Sequence, residues 1–286
     1  MAHVRHDGRV ASNPELDLRI LDSEPDAVTA VRELLASIRE ALQDSLLAAW
    51  FDGSIALGVF DPRRSDVDVV VVTRDTPSAE QTAAIRTLHA RSATAAGAWG
   101  DDIETIYVTL AGLRSTAVSR KISHLYVERG SGGKLKSAPL DRGWLFHLRV
   151  LREHGRSILG PEPSDVVEVV SDDELKHVAL WIADHWLTAY RADPAVLEQR
   201  GARVFVVLTI CRLLYTLRTG QVVAKMTAAR EAIGMLPPDL LPVIEGAMAW
   251  RKDDTAFVNP SLEGTLALMA WMQSFCGAWR RRGELG

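Results

Sequence analysis

Two aspartates at the entrance to an apolar segment are the residues best suited to chemistry in this chain. Ser65-Asp66-Val67-Asp68 leads into Val69–Val72, a run of β-branched residues that indicates a strand buried on both faces. Because side chains alternate along a strand, the two carboxylates project from one face, about 7 Å apart along the strand axis. Two like charges there destabilise each other unless a cation lies between them, and Mg²⁺ prefers such oxygen ligands. The alternative is that Asp66 ends a turn and Asp68 is a solvated residue at a strand edge.

A Gly-Ser pair twelve residues earlier supports the first interpretation. Gly53-Ser54 follows Leu46–Phe51, which is predicted to be the first strand, and precedes Ile55–Val59, which is predicted to be a brief helix. Glycine lets the backbone approach a triphosphate, and the serine hydroxyl with the free N–H groups of a helix start can bind phosphate oxygens. The two motifs together therefore indicate a site for a metal-bound nucleotide.

This arrangement resembles the DNA polymerase beta-like nucleotidyltransferase superfamily. The resemblance implies a small mixed sheet with helices, in which Asp66 and Asp68 hold Mg²⁺ ions and ATP is the nucleotide donor. It also implies that Gly53, Ser54 and Ser65 line the triphosphate site.

A third carboxylate stands in the next predicted strand, Ile103–Leu110. Glu104 interrupts a β-branched run, and glutamate is rarely buried without a partner. An edge strand with one wet face would explain this residue. If its strand lies beside the aspartate pair, the same side chain can complete a metal site or accept a proton from an attacking hydroxyl. The presence of the pair favours this second interpretation.

The chain after residue 171 has a helical pattern throughout. Ser171 begins one helix with a capping box to Glu174, and Gly220 closes another. Two cations accompany these helices: Arg212 lies inside an apolar run, and Lys225 begins the next helix. Taken singly, each fits a surface cation whose apolar stem packs on the protein.

Three segments of the chain look like the C-terminal domain of the aminoglycoside adenylyltransferases that modify streptomycin and spectinomycin. They are residues 151–161, 206–225 and 236–245. In that family an arginine and a lysine, thirteen positions apart, contact the nucleotide phosphates. Arg212 and Lys225 match both residue types and the spacing.

The same resemblance assigns roles around the reacting groups. It makes Glu104 the catalytic base, which we also expect to be a metal ligand, and it places Glu198 in the drug pocket. Ala202 stands where the family has an aspartate that it uses against streptomycin. The pattern therefore disfavours streptomycin and leaves spectinomycin or another hydroxylated molecule open.

Composition limits the partners of the protein. The chain has 33 Lys and Arg against 37 Asp and Glu, so its net charge of −4 gives no general electrostatic case for nucleic acid. The longest apolar stretch, Val204–Leu217, is interrupted by Arg212 and is too short to span a bilayer. Cys211 and Cys276 are isolated and lack zinc-site spacing, which fits a reduced compartment. We predict a cytoplasmic monomer with no nucleic-acid or membrane partner.

The predicted fold is α+β with two domains. Residues 1–171 form the polymerase beta-like nucleotidyltransferase domain, a small mixed sheet with helices, and residues 172–286 form an all-α bundle that contributes to substrate and nucleotide binding. Gly130–Lys134 lacks the spacing of a phosphate-binding P-loop, so we interpret it as a mobile surface loop, a lid or a substrate rim.

The predicted function is transfer of AMP from Mg-ATP to a hydroxyl of a small molecule, with release of pyrophosphate. The acceptor implied is a cationic aminoglycoside or aminocyclitol such as spectinomycin. An enzyme of the same fold with another acceptor, such as a lincosamide, a metabolite or a protein hydroxyl, is the first alternative. A non-catalytic nucleotide-binding relative is the second, and the presence of Asp66, Asp68 and Glu104 together disfavours it.

Overall fold

A mixed sheet forms around the two strands that flank the Gly-Ser turn. The structure is a computed structural model that describes residues 16–94, 99–252 and 260–281. In these residues six strands form one sheet in the order β5-β4-β3-β2-β1-β6. The strands are β1 Leu46–Phe51, β2 Val67–Thr73, β3 Ile103–Thr109, β4 Ser123–Val127, β5 Lys136–Pro139 and β6 Arg156–Leu159. Strands β2 and β3 are parallel, and the other neighbouring pairs are antiparallel.

Alternation along β2 separates the core from the carboxylates. Val67, Val69 and Val71 belong to the hydrophobic core that includes Leu35 and Ile38 of the first helix. Asp68 therefore projects from the opposite face of the sheet, because successive side chains of a strand point to opposite faces. Val69–Val72 are all almost fully buried, which confirms the prediction of a strand buried on both faces.

Helices cover this sheet and make up the second half of the chain. They are α1 Pro25–Leu42, α2 Gly53–Ala56, α3 Ala79–Thr94, α4 Trp144–His154, α5 Pro163–Val166, α6 Asp172–Ala192, α7 Arg200–Thr219, α8 Lys225–Ala232, α9 Leu241–Lys252 and α10 Leu262–Arg281. The predicted capping box is present, since the Ser171 hydroxyl accepts from the Glu174 N–H and the Glu174 carboxylate accepts from the Ser171 N–H. Gly220 ends α7 in the left-handed conformation, with φ 73°. The prediction of an α+β fold with a helical C-terminal part is confirmed.

The start of α1 differs from the sequence pattern. The run Ser23-Glu24-Pro25-Asp26 predicts a helix start with Ser23 as the N-cap. In the structure the N-cap is Glu24, and its side chain makes no capping hydrogen bond. The Glu24 N–H instead donates to the Leu21 carbonyl at 2.8 Å, which continues a short turn into the helix. A backbone turn thus takes the place of the expected side-chain cap.

Residues 123–139 form a β-hairpin whose two strands the sequence pattern does not predict. Strands β4 and β5 pair in antiparallel fashion, and Gly130–Lys134 lies in the connection between them. The connection is held in place, because the Gly130 N–H donates to the Asp101 carbonyl at 2.9 Å and the Gly132 N–H donates to the Asp101 carboxylate at 2.9 Å. Gly133 packs closely on α3, where an added Cβ would lie 2.2 Å from the His89 carbonyl oxygen.

The described chain divides into two compact units. The sheet unit comprises residues up to Pro139 together with Leu151–Val167, and the helical unit comprises Leu140–Val150 and the chain from Glu168 onward. The predicted single boundary at residue 171 therefore differs from this division, because the chain passes into the helical unit twice.

A buried arginine explains why the first part of α4 belongs to the helical unit. Arg149 donates to the Val170 carbonyl at 2.6 Å and to the Asp172 carboxylate at 2.8 Å. It also donates to the Gln221 side-chain oxygen at 3.0 Å, and Gln221 in turn donates to Asp172 at 3.1 Å. These bonds join α4 to the start of α6 and to the residues that follow α7.

Among residues 16–94, 99–252 and 260–281, no helix combines the length and the apolar composition that a membrane crossing requires.

Candidate active site

Three carboxylates meet on the face of the sheet that is turned away from α1 and α3. Asp68 on β2 and Glu104 on β3 are direct partners in the parallel pairing of these strands, and Asp66 precedes β2 by one residue. One oxygen from each of the three carboxylates lies within 4.8 Å of the others, and all three residues are half-buried. The alternative in which Glu104 occupies an edge strand is wrong, because β3 lies between β2 and β4.

This donor set fits a hard divalent cation. Three carboxylates within 4.8 Å of one another repel strongly when half-buried, and a cation among them removes the repulsion. Their ligand atoms are all oxygens, the type that Mg²⁺ and Ca²⁺ prefer over the softer transition metals. The geometry therefore suits a metal-assisted reaction and also leaves a carboxylate available to accept a proton.

Gly53 is required by the position of Asp68. It begins α2 with φ 58°, and a Cβ built there would lie only 1.9 Å from Asp68 Oδ2. The Asp52 N–H donates to the Asp68 carbonyl at 3.0 Å, so the turn before α2 is fixed to the strand that carries the aspartate. The sequence pattern predicts that this glycine allows close approach of a triphosphate, and in the structure the glycine also makes room for the Asp68 carboxylate.

The two serines of the predicted triphosphate site have different surroundings. The Ser54 hydroxyl oxygen is buried and has no hydrogen-bond partner among the described residues, so it remains available to a ligand that reaches it. Ser65 is buried, and its hydroxyl accepts from the Asp61 N–H at 3.2 Å. Ser65 also donates its own N–H to the Asp61 carbonyl at 2.7 Å, so it holds the turn that delivers Asp66. The phosphate-binding roles of both serines stay predictions.

Arg129 is a residue that the sequence analysis missed. It follows β4, and its main-chain N–H donates to Glu104 Oε1 at 3.1 Å. Its guanidinium donates to Asp102 Oδ1 at 2.5 Å and to the Arg64 carbonyl at 3.4 Å. The only local signal is a cation before a glycine-rich turn, because the contact with Glu104 depends on the unpredicted hairpin.

The predicted phosphate-binding residues belong to the helical unit. Arg212 lies half-buried on α7, and Lys225 is the first residue of α8. The Lys225 ammonium lies 4.2 Å from the centre of the Phe205 ring, a cation–π contact that holds this side chain along α7. Glu198, the predicted drug-pocket residue, is exposed at the end of a short 3₁₀ helix. The roles of these residues stay predictions.

Comparisons with known proteins agree with this fold. Residues 168–264 match the family model described as the C-terminal domain of aminoglycoside adenylyltransferase. Curated proteins named aminoglycoside (3'') (9) adenylyltransferase from Klebsiella pneumoniae and Escherichia coli are each 26% identical to this chain over 224 residues. That alignment covers 76% of the chain and 82% and 81% of the two relatives. These matches support the aminoglycoside adenylyltransferase family to which the sequence motifs point.

A solved structure has the same fold as this chain. The crystal structure of spectinomycin adenyltransferase AAD(9) from Enterococcus faecialis, determined with ATP and spectinomycin, superimposes with a TM-score of 0.67. The match covers 88% of this chain and 99% of that one at 12% sequence identity, which establishes the shared fold. This shared fold agrees with the family predicted from the Gly-Ser, Asp-x-Asp and C-terminal motifs.

Proposed function

We propose that this protein transfers AMP from Mg-ATP to a hydroxyl of an aminoglycoside or aminocyclitol antibiotic such as spectinomycin, and releases pyrophosphate. The observation that carries the proposal is the convergence of Asp66, Asp68 and Glu104 in a chain of this family. The relatives named for modifying aminoglycosides, and the AAD(9) structure that contains ATP and spectinomycin, support this substrate class. Covalent attachment of AMP would inactivate the drug and protect the cell.

The reaction follows from the chemistry of the three carboxylates. The acceptor oxygen attacks the α-phosphorus, the bond to the bridging oxygen of the β-phosphate breaks, and pyrophosphate leaves with that electron pair. Mg²⁺ held by Asp66 and Asp68, with Glu104 as a further ligand, would supply charge neutralisation at the phosphates and polarise the acceptor hydroxyl.

Glu104 is the residue to which we assign the proton of the hydroxyl. A carboxylate can accept this proton as the new P–O bond forms, and proton transfer of this kind contributes about 10²–10⁴-fold to rate. Its position beside Asp68 in the strand pairing supports the assignment, because the base must lie near the oxygen that the metal polarises. The Arg129 N–H occupies one carboxylate oxygen and so fixes the orientation of the group.

We further assign phosphate binding to Arg212 and Lys225, as the family resemblance implies. Charge-assisted hydrogen bonds from such cations to phosphate oxygens are about twice as strong as neutral ones. The acceptor is expected to be cationic, and the protein to act as a cytoplasmic monomer without nucleic-acid or membrane partners; the net charge of −4 supports the absence of a nucleic-acid partner.

A panel of acceptors tests the proposal. The purified protein would be mixed with ATP, Mg²⁺ and one of spectinomycin, streptomycin, other aminoglycosides or a lincosamide, and pyrophosphate and the AMP adduct would be measured by coupled assay and mass spectrometry. We expect pyrophosphate release and an adduct of one AMP with spectinomycin or an aminoglycoside, and neither product with Asp68→Asn. Adenylation of the lincosamide alone would favour the alternative acceptor class, and the absence of any adduct across the panel would contradict the proposal.

A further inference from the structure

We propose that Arg129 is a positioning residue for the carboxylate site, because it links the three chain segments on which the site depends. This inference rests on the proposed function only for its kinetic readout, since metal binding tests it independently. Arg129 follows β4, and the carboxylates lie on or beside β2 and β3. Its position in the sequence therefore gives no sign of the link.

The main chain of Arg129 holds the catalytic carboxylate directly. Its N–H donates to Glu104 Oε1 at 3.1 Å. The residue itself is held by the following turn, because Gly130 donates to the Asp101 carbonyl at 2.9 Å and Gly132 donates to the Asp101 carboxylate. A hydrogen bond from a fixed donor restricts the rotation of the glutamate, which is what a group that shares a proton or a metal requires.

The guanidinium connects the segment that carries Glu104 with the segment that carries Asp66 and Asp68. It reaches Asp102, two residues before Glu104, and the carbonyl of Arg64, two residues before Asp66. The Asp102 carbonyl in turn accepts from the Val67 N–H at 3.0 Å. The Arg129 guanidinium thus contacts the residues just before β2 and just before β3. The distance between the Asp66 and Glu104 carboxylates depends on the positions of both segments.

Global stability does not explain this contact well. The side chains of Arg129 and Asp102 are 42% and 33% exposed, and ion pairs at that exposure contribute at most about 1 kcal/mol. The same contact can matter far more for the site, because loss of a group that orients metal ligands costs about 10–100-fold in metal affinity or activity. Arg129 is therefore expected to affect the reaction more than the folding.

The test compares Arg129→Ala with Arg129→Lys and with Arg120→Ala, an exposed arginine that precedes the same hairpin. The measurements are kcat, KM for ATP, the melting temperature, and the affinity for Mn²⁺ alone by electron paramagnetic resonance. We expect Arg129→Ala to lose about 10–100-fold in kcat and several-fold in Mn²⁺ affinity, with a nearly unchanged melting temperature and KM. Arg129→Lys should recover part of both losses, because its ammonium can pair with Asp102 but lacks the planar fork that also reaches Arg64.

The variant Asp102→Asn tests whether Arg129 acts through its ion pair with Asp102. If Arg129 acts through Asp102, the double variant Arg129→Ala/Asp102→Asn should be no worse than the more impaired single variant. If the losses of kcat in the two single variants add up in the double variant, Arg129 does not act through Asp102. Wild-type kcat and Mn²⁺ affinity in Arg129→Ala, or an equal loss in Arg120→Ala, would overturn the proposal as a whole. If no acceptor is adenylated by the wild type, the proposed function fails, and the Mn²⁺ affinities still decide the role of Arg129.

Discussion

At the scale of single residues, the site depends on a glycine that no other residue can replace without cost. Gly53 has φ 58°, a conformation that costs other residues about 1 kcal/mol or more, and its missing Cβ leaves the space that the Asp68 carboxylate occupies. The cost of the left-handed backbone applies at any position with such a φ, whereas the clash of a Cβ with Asp68 occurs only at Gly53. A substitution should therefore affect the aspartate more than the fold.

We predict that Gly53→Ala lowers kcat by about 100-fold, because Asp68 must rotate away from a Cβ that would lie 1.9 Å from its oxygen. Gly58→Ala is the matched control, since Gly58 has φ 68° but nothing within 4 Å of its added Cβ. Urea unfolding should show a similar loss of about 1 kcal/mol for both variants, and only Gly53→Ala should lose activity. Equal activity of the two variants would show that Asp68 tolerates the methyl group.

At the scale of elements, the contact between α3 and β3 contains a buried polar pair. His89 Nε2 lies 2.7 Å from the Tyr107 hydroxyl, and both side chains are nearly fully buried. Burial lowers the pKa of His89 from 6.5 to about 4 and raises the pKa of Tyr107 well above its usual range. The pair thus remains neutral in the folded protein, and it holds the helix on the strand that carries Glu104.

This shift predicts a loss of stability in mild acid. Between pH 6.5 and about 4 the unfolded chain binds a proton at His89 that the folded protein excludes, so the free energy of unfolding falls with falling pH, by about 3 kcal/mol in all. In His89→Gln, which can still bond to Tyr107, this part of the pH dependence should disappear. Urea unfolding between pH 6.5 and about 4 measures this slope, with His154→Gln as the control, since the His154 side chain is 43% exposed. A slope in His89→Gln equal to that of the wild type would contradict the assignment.

Sequence patterns predicted those elements in which the types and spacing of the residues indicate which side chains are buried. The apolar runs of β1 and β2 are examples, and the alternation of β2 also placed Asp66 and Asp68 on one face. The hairpin was missed because Lys136–Pro139 is a polar edge strand with alternating exposure, which forms through pairing with β4. Arg129 was missed for the same reason, since its partners come from segments far away in the sequence.

At the scale of the whole molecule, the predicted nucleotide contacts are distributed over both units. The carboxylates belong to the sheet unit, and Arg212 and Lys225 belong to the helical unit. Substitutions in the two units should therefore have different kinetic effects.

We predict that Arg212→Ala raises KM for ATP by about tenfold, because a charge-assisted hydrogen bond to phosphate is lost. The ratio of kcat/KM between two accepted antibiotics should stay constant, since the arginine is assigned to the nucleotide. Arg218→Ala, an exposed substitution in the last turn of α7, is the control. A change in antibiotic preference with unchanged KM for ATP would move Arg212 to the acceptor site.

The most direct test of the account is the turnover of Glu104→Gln under conditions in which it binds Mg-ATP. The amide keeps the size of the side chain and an oxygen for the Arg129 N–H, but it cannot take up the acceptor proton at neutral pH. The account predicts a Kd for Mg-ATP within about threefold of the wild type and a loss of at least about 100-fold in AMP transfer. Transfer at a rate close to that of the wild type would contradict the role of Glu104 as the base and remove the centre of the proposed mechanism.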